Sequence, residues 1–321
     1  MVESMMPLLD IQHLTVSFGS TPVVRDLCLQ LSSGRILCIV GESGSGKSMT
    51  AFSVMRLLPP AGRISSGSVY FSGENLLDLT ENAMRQKRGR DISMIFQEPM
   101  TSLNPVLSIG RQIAEPLEIH QGISNAEAEK RAAELMEIVG IPDPQNRLSD
   151  YPHQFSGGMR QRAMIAMALA CSPRLLLADE PTTALDITIQ GQILRLLSSL
   201  AREKNMGILL ISHDLGVVAE AADDVAVMYA GQIMESAPVA DFFAGPRHPY
   251  SQSLMACAPL IGNHSWERLP SIPGAVPLPS ALPEGCAFRP RCTQASLLCC
   301  QEPPFRQVSD GHFVRCWNSL S

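Results

Sequence analysis

The feature that most constrains this chain is an eight-residue loop, Gly41-Glu42-Ser43-Gly44-Ser45-Gly46-Lys47-Ser48. It lies between a strand-like apolar run, Ile36 to Val40, and a helix-like stretch, Met49 to Leu58. The loop fits GxxxxGK[ST], and the flanking strand and helix supply the context that the pattern requires. Glycines let the backbone wrap closely enough for its N–H groups to meet phosphate oxygens, and a helix N-terminus adds a dipole that favours an anion. Gly41 through Met49 are therefore the expected contacts to a nucleoside triphosphate, with Lys47 neutralising the outer phosphates and the Ser48 hydroxyl on Mg²⁺.

A second apolar run, Leu175-Leu176-Leu177-Ala178, ends in Asp179 and Glu180. A strand ending this way delivers two carboxylates to the C-terminal edge of a parallel sheet, where ligands of α/β folds gather. Asp179 suits Mg²⁺ or its water, and Glu180, one residue beyond the buried strand, suits polarisation of an attacking water. Ile208-Leu209-Leu210-Ile211-Ser212-His213-Asp214 repeats the arrangement and brings His213 toward the terminal phosphate.

From Leu9 to about Met234, strand-length runs alternate with longer helical stretches, the pattern of an α/β protein with a largely parallel sheet. Asn125 to Gly140 spaces its apolar residues helically among Glu, Lys and Arg, and fits an inserted helical subdomain. After Ala237 prolines crowd together, from Pro246 to Pro283, and the expectation there is a loop-rich tail.

No apolar run approaches the ~18 residues of a membrane helix. The start of the chain, with Glu3 and Asp10, does not read as a secretion signal, so a cytoplasmic location is expected. A net charge of −6 without blocks of like charge argues against nucleic acid as a partner. Of the nine cysteines, five fall after residue 285, and disulfides rarely persist in a reducing compartment. Soft thiolates there favour zinc or an iron–sulfur cluster, although the spacings lack a close CxxC pair.

Phe155-Ser156-Gly157-Gly158-Met159-Arg160-Gln161-Arg162 resembles the signature of ABC ATPases. Physically, Ser156 and its glycines make a second anion-binding helix start. The resemblance covers residues 9 to 235 and implies a P-loop ABC ATPase domain, a mixed-sheet core with an inserted helical subdomain. It implies that Ser156, Gly157, Gly158 and Met159 close over nucleotide held by a partner ATPase. It implies that Gln97 senses Mg²⁺ and water, that Asp186 in Ala184-Leu185-Asp186 communicates across the dimer, that His213 is the switch histidine, and that Phe18 stacks on adenine. Lys47, Glu180 and His213 are all present, so hydrolysis of ATP is expected.

The stretch Arg88 to Pro105, Tyr151-Pro152-His153-Gln154, Arg247-His248-Pro249-Tyr250 and Ile272-Pro273-Gly274 resemble the dipeptide, oligopeptide and nickel importer branch. In that branch four tail cysteines hold a [4Fe–4S] cluster, which implies Cys286, Cys292, Cys299 and Cys316 as ligands, with Cys299 and the adjacent Cys300 open to exchange. The implied boundaries are a nucleotide-binding domain over 1–237, with its helical subdomain at about 98–172, and an extension over 238–321. The implied partners are a second, different ATPase chain, two transmembrane permeases and an extracytoplasmic solute-binding protein. The implied location is the cytoplasmic face of the inner membrane. Dipeptide, oligopeptide, nickel and metallophore all remain open as the solute, with peptide leading.

Overall fold

The computed structural model describes residues 6–98, 102–182, 187–258 and 271–318. Twelve strands are named here in chain order: β1 (Leu9–Phe18), β2 (Thr21–Leu31), β3 (Ile36–Val40), β4 (Gly62–Phe71), β5 (Glu74–Asn75), β6 (Ile92–Ile95), β7 (Leu175–Asp179), β8 (Gly207–Ser212), β9 (Asp224–Tyr229), β10 (Gln232–Pro238), β11 (Phe305–Ser309) and β12 (His312–Arg315). By their contacts the residues fall into two compact units. The first combines Met1–Leu9, Leu31–Ile36 and Phe71–Ile211, and the second Asp10–Gln30, Leu37–Tyr70 and Ser212–Ser321.

In the first unit β6, β7 and β8 are parallel, with Ile95 opposite Ala178 and Asp179 opposite Ile211. Leu175, Leu176, Leu177 and Ala178 are completely buried, as a strand covered on both faces demands. Three helices of this unit begin at a capping serine. Ser108, Ser124 and Ser156 each accept a backbone N–H three residues on, at the starts of Ile109–Gln121, Asn125–Ile138 and Gly157–Leu169. Ala128, Ala132 and Met136, one turn apart, form the buried face of the second helix, so the expected amphipathic helix is present.

In the second unit β3 runs parallel to β9, and β10 pairs antiparallel with β9 on one side and β12 on the other. β11 and β12 form a hairpin, with Ser309 opposite His312 across Asp310-Gly311. The sequence reading did not foresee this hairpin. Its strands hold five and four residues, too short for alternation to register beside so many prolines, although Asp-Gly is a strong hairpin turn. Among the described residues no helix is long and apolar enough to cross a membrane.

Candidate functional site

The phosphate loop lies in the second unit, between the fully buried β3 and the helix Lys47–Met55. Gly41 has φ 156°, and a Cβ there would stand 2.1 Å from the Met228 carbonyl oxygen, so only glycine lets the loop pass β9 this closely. Lys47 is 6% exposed, and its Nζ donates to the carbonyls of Gly41 (2.8 Å) and Glu42 (3.1 Å). The ammonium is thus held over the loop that it serves. Ser43 and Gly44 are exposed at the tip, Ser48 and Met49 half-buried at the helix start. Phe18 ends β1 half-buried, its ring edge against the open side of Gly62. His213 is exposed directly after β8, followed by Asp214, whose carboxylate accepts the Gly216 N–H at 2.7 Å.

In the first unit Asp179 is 2% exposed at the end of β7. Glu180 leaves the strand with φ 47°, a left-handed conformation rare for a residue with a side chain, while its N–H donates to the Ile211 carbonyl at 3.0 Å. The turn directs its carboxylate to Gln97, whose Nε2 donates to Glu180 Oε2 at 3.1 Å. Two of the expected catalytic residues, far apart in sequence, therefore meet. The signature serine caps its helix, its Oγ accepting the Met159 N–H at 3.3 Å, and Ser156 and Gly157 face solvent. Asp186 lies outside the described residues.

Sequence reasoning missed Gln161. It sits in the signature helix, 1% exposed, and its Nε2 donates to the Pro181 carbonyl at 2.5 Å, one residue past Glu180. Its place within the signature was visible, but its partner was not.

The second unit also brings the C-terminal segment to the phosphate loop. Tyr229, Tyr250 and Phe288 pack with ring centroids 4.7 to 5.3 Å apart, all essentially buried. The Tyr250 hydroxyl accepts the Glu42 N–H at 3.0 Å, and burial pushes its pKa up, which keeps the phenol protonated. Arg291 reaches the Glu42 carboxylate with both terminal nitrogens, at 2.8 and 3.1 Å. Burial opposes its charge, but the bonds to Glu42 and Tyr229 outweigh that and leave its pKa raised.

Cys286, Cys292, Cys299 and Cys316 all line one small cavity of about 10 Å³, and all but Cys292 are buried. Gly285 makes this possible. Its φ is 76°, and a Cβ would lie 2.4 Å from the Cys299 carbonyl oxygen, which accepts the Cys286 N–H at 3.0 Å. Burial first, then the neighbouring thiols, pushes Cys286 up to about 11, and Cys292 also moves up. The four thiols are soft donors around one cavity, but no three of them bring their sulfurs within 4.8 Å of one another, so the set is too open to close on a single ion. Cys300 is outside the lining, exposed, with Arg289 Nη1 2.8 Å from its sulfur.

A family model described as ABC transporter matches residues 24–183, and one described as oligopeptide/dipeptide transporter, C-terminal region, matches residues 234–299. The oligopeptide transport ATP-binding protein OppD of Bacillus subtilis is 50% identical over 316 residues, 97% of this chain and 88% of that protein. The chain belongs to the ABC transporter family. A Sinorhizobium fredii protein, y4tR, named as a probable peptide ABC transporter ATP-binding protein, is 52% identical over 97% of this chain and 95% of its own length. The dimeric ATP-binding cassette MJ0796, in a post-hydrolysis state bound to ADP and Pi, aligns with 72% of this chain and 98% of its own, at 26% identity and a TM-score of 0.65. This ABC ATPase therefore has a fold known from hydrolysing cassettes, with its phosphate loop and carboxylate strand intact.

Proposed function

We propose that this ABC ATPase powers the import of peptides, dipeptides or oligopeptides, through partner permeases. The observation that carries the reading is similarity over nearly the full length, C-terminal region included, to proteins named for peptide and oligopeptide transport. In this reading the phosphate loop, Gly41 to Met49, cradles ATP, Lys47 offsets phosphate charge, and Phe18 stacks on the base. Ser48, Gln97 and Asp179 supply the hard oxygen donors that Mg²⁺ prefers. Glu180, its carboxylate oriented by Gln97, polarises the attacking water, and His213 reads the terminal phosphate.

The exposed serine and glycine at the start of the signature helix support a composite site, in which Ser156 to Met159 cover nucleotide bound by a second ATPase chain. Asp186 takes the role of dimer communication. ATP joins the two halves, closure rearranges two permeases, and loss of the terminal phosphate parts them. The nucleotide-binding domain is then 1–237, its helical subdomain about 98–172, with the extension over 238–321. The chain sits on the cytoplasmic face of the membrane, and an extracytoplasmic binding protein delivers the solute. Cys286, Cys292, Cys299 and Cys316 hold a [4Fe–4S] cluster that fastens the extension, supported by the four thiols lining one cavity.

A mild-detergent pull-down of the tagged chain from membranes, read by mass spectrometry, tests the assembly. Two permeases, a sibling ATPase and a peptide-binding protein are expected. Recovery of ribosomal or DNA-repair proteins without a permease would overturn the reading.

A further inference from the structure

Glu42 is the acidic residue of a loop that gathers phosphates. An unbalanced carboxylate there opposes the binding of a polyanion. Arg291, 249 residues further along, meets it with a bidentate ion pair, the geometry in which a guanidinium binds a carboxylate most strongly. The Arg291 side chain is only 5% exposed. Its Nε donates to the Pro273 carbonyl at 2.8 Å, one terminal nitrogen donates to the Ile272 carbonyl at 3.2 Å, and the other stands 3.4 Å from the Tyr229 hydroxyl. The guanidinium is therefore fixed in place by backbone and ring before any nucleotide arrives, and screening by solvent is weak on its side of the pair.

We propose that Arg291 is a positioning residue for nucleotide binding: it neutralises Glu42 from the C-terminal segment and so sets the affinity of the phosphate loop for ATP. The inference rests on the reading that this loop is the nucleotide site. Tyr250, whose hydroxyl takes the Glu42 N–H, fixes the backbone of the same residue. The short segment that carries Arg291 also carries Cys286 and Cys292, so whatever orders the cysteine cavity also orders the partner of Glu42.

The test is the dissociation constant of the full-length chain for Mg-ATP, in wild type, R291M, E42Q and the double variant, with Lys47→Ala as the control. If local charge governs affinity, R291M binds about tenfold more weakly, E42Q binds more tightly than wild type, and the double variant returns to within about threefold of wild type. The differences shrink as salt rises from about 50 mM to about 500 mM. A purely structural strap gives the opposite pattern, with all three variants weakened and no rescue, and that result would overturn the inference. Should R291M not fold, E42Q alone decides, since binding equal to or weaker than wild type contradicts neutralisation. Absence of Mg-ATP binding to wild type, or binding that survives Lys47→Ala, would instead defeat the nucleotide reading itself.

Discussion

At the scale of single residues, the groups expected to meet phosphate and Mg²⁺ stand out in the sequence because phosphate chemistry dictates their types and spacing. Gly41 to Ser48 and Asp179-Glu180 could be read directly. The backbone conformations and buried contacts that aim them could not. Glu180 adopts φ 47° because the turn after β7 bends it toward Gln97, and nothing in its own identity announces a left-handed backbone. Gln161 is similar: its amide is spent on the Pro181 carbonyl, a contact made only when the signature helix lies against the turn after β7. Gln161→Leu leaves that buried carbonyl without its donor, at a cost of about 1–3 kcal/mol. The variant should melt lower and turn over ATP more slowly at unchanged ATP affinity, as read by a thermal melt and by steady-state kinetics. An unaltered kcat would show that Gln161 does not position Glu180.

At the scale of elements, the apolar strands and the amphipathic helix from Asn125 were visible, since burial on both faces of β7 and spacing of one turn at Ala128, Ala132 and Met136 leave strong patterns. The β11–β12 hairpin was not, because its strands are short and the nearby prolines dominate the composition. Sequence left Cys299 and Cys300 as alternatives, and the cavity lining favours Cys299, which is buried where Cys300 is exposed. Iron and sulfide analysis of protein purified without oxygen should find about four of each per chain in wild type and in Cys300→Ser, and a large loss in Cys299→Ser. The reverse pattern would reassign the ligand, and iron-free wild type would exclude the cluster.

At the scale of the whole molecule, each unit is assembled from separated segments, and the division explains what sequence could not supply. The second unit joins the phosphate loop to residues beyond 245, so the Arg291–Glu42 pair spans most of the chain and no local pattern encodes it. The first unit gathers Gln97, the signature and the carboxylate strand, so that Gln97 and Glu180 bond across 83 residues. The most direct measurement is Mg-dependent ATP hydrolysis by the complex recovered from membranes, comparing wild type with Glu180→Gln. The amide preserves shape and the reach to Gln97 but cannot act as a base, so the account predicts a kcat lower by about 10²–10⁴ with ATP still bound. Hydrolysis at the wild-type rate in Glu180→Gln would contradict it.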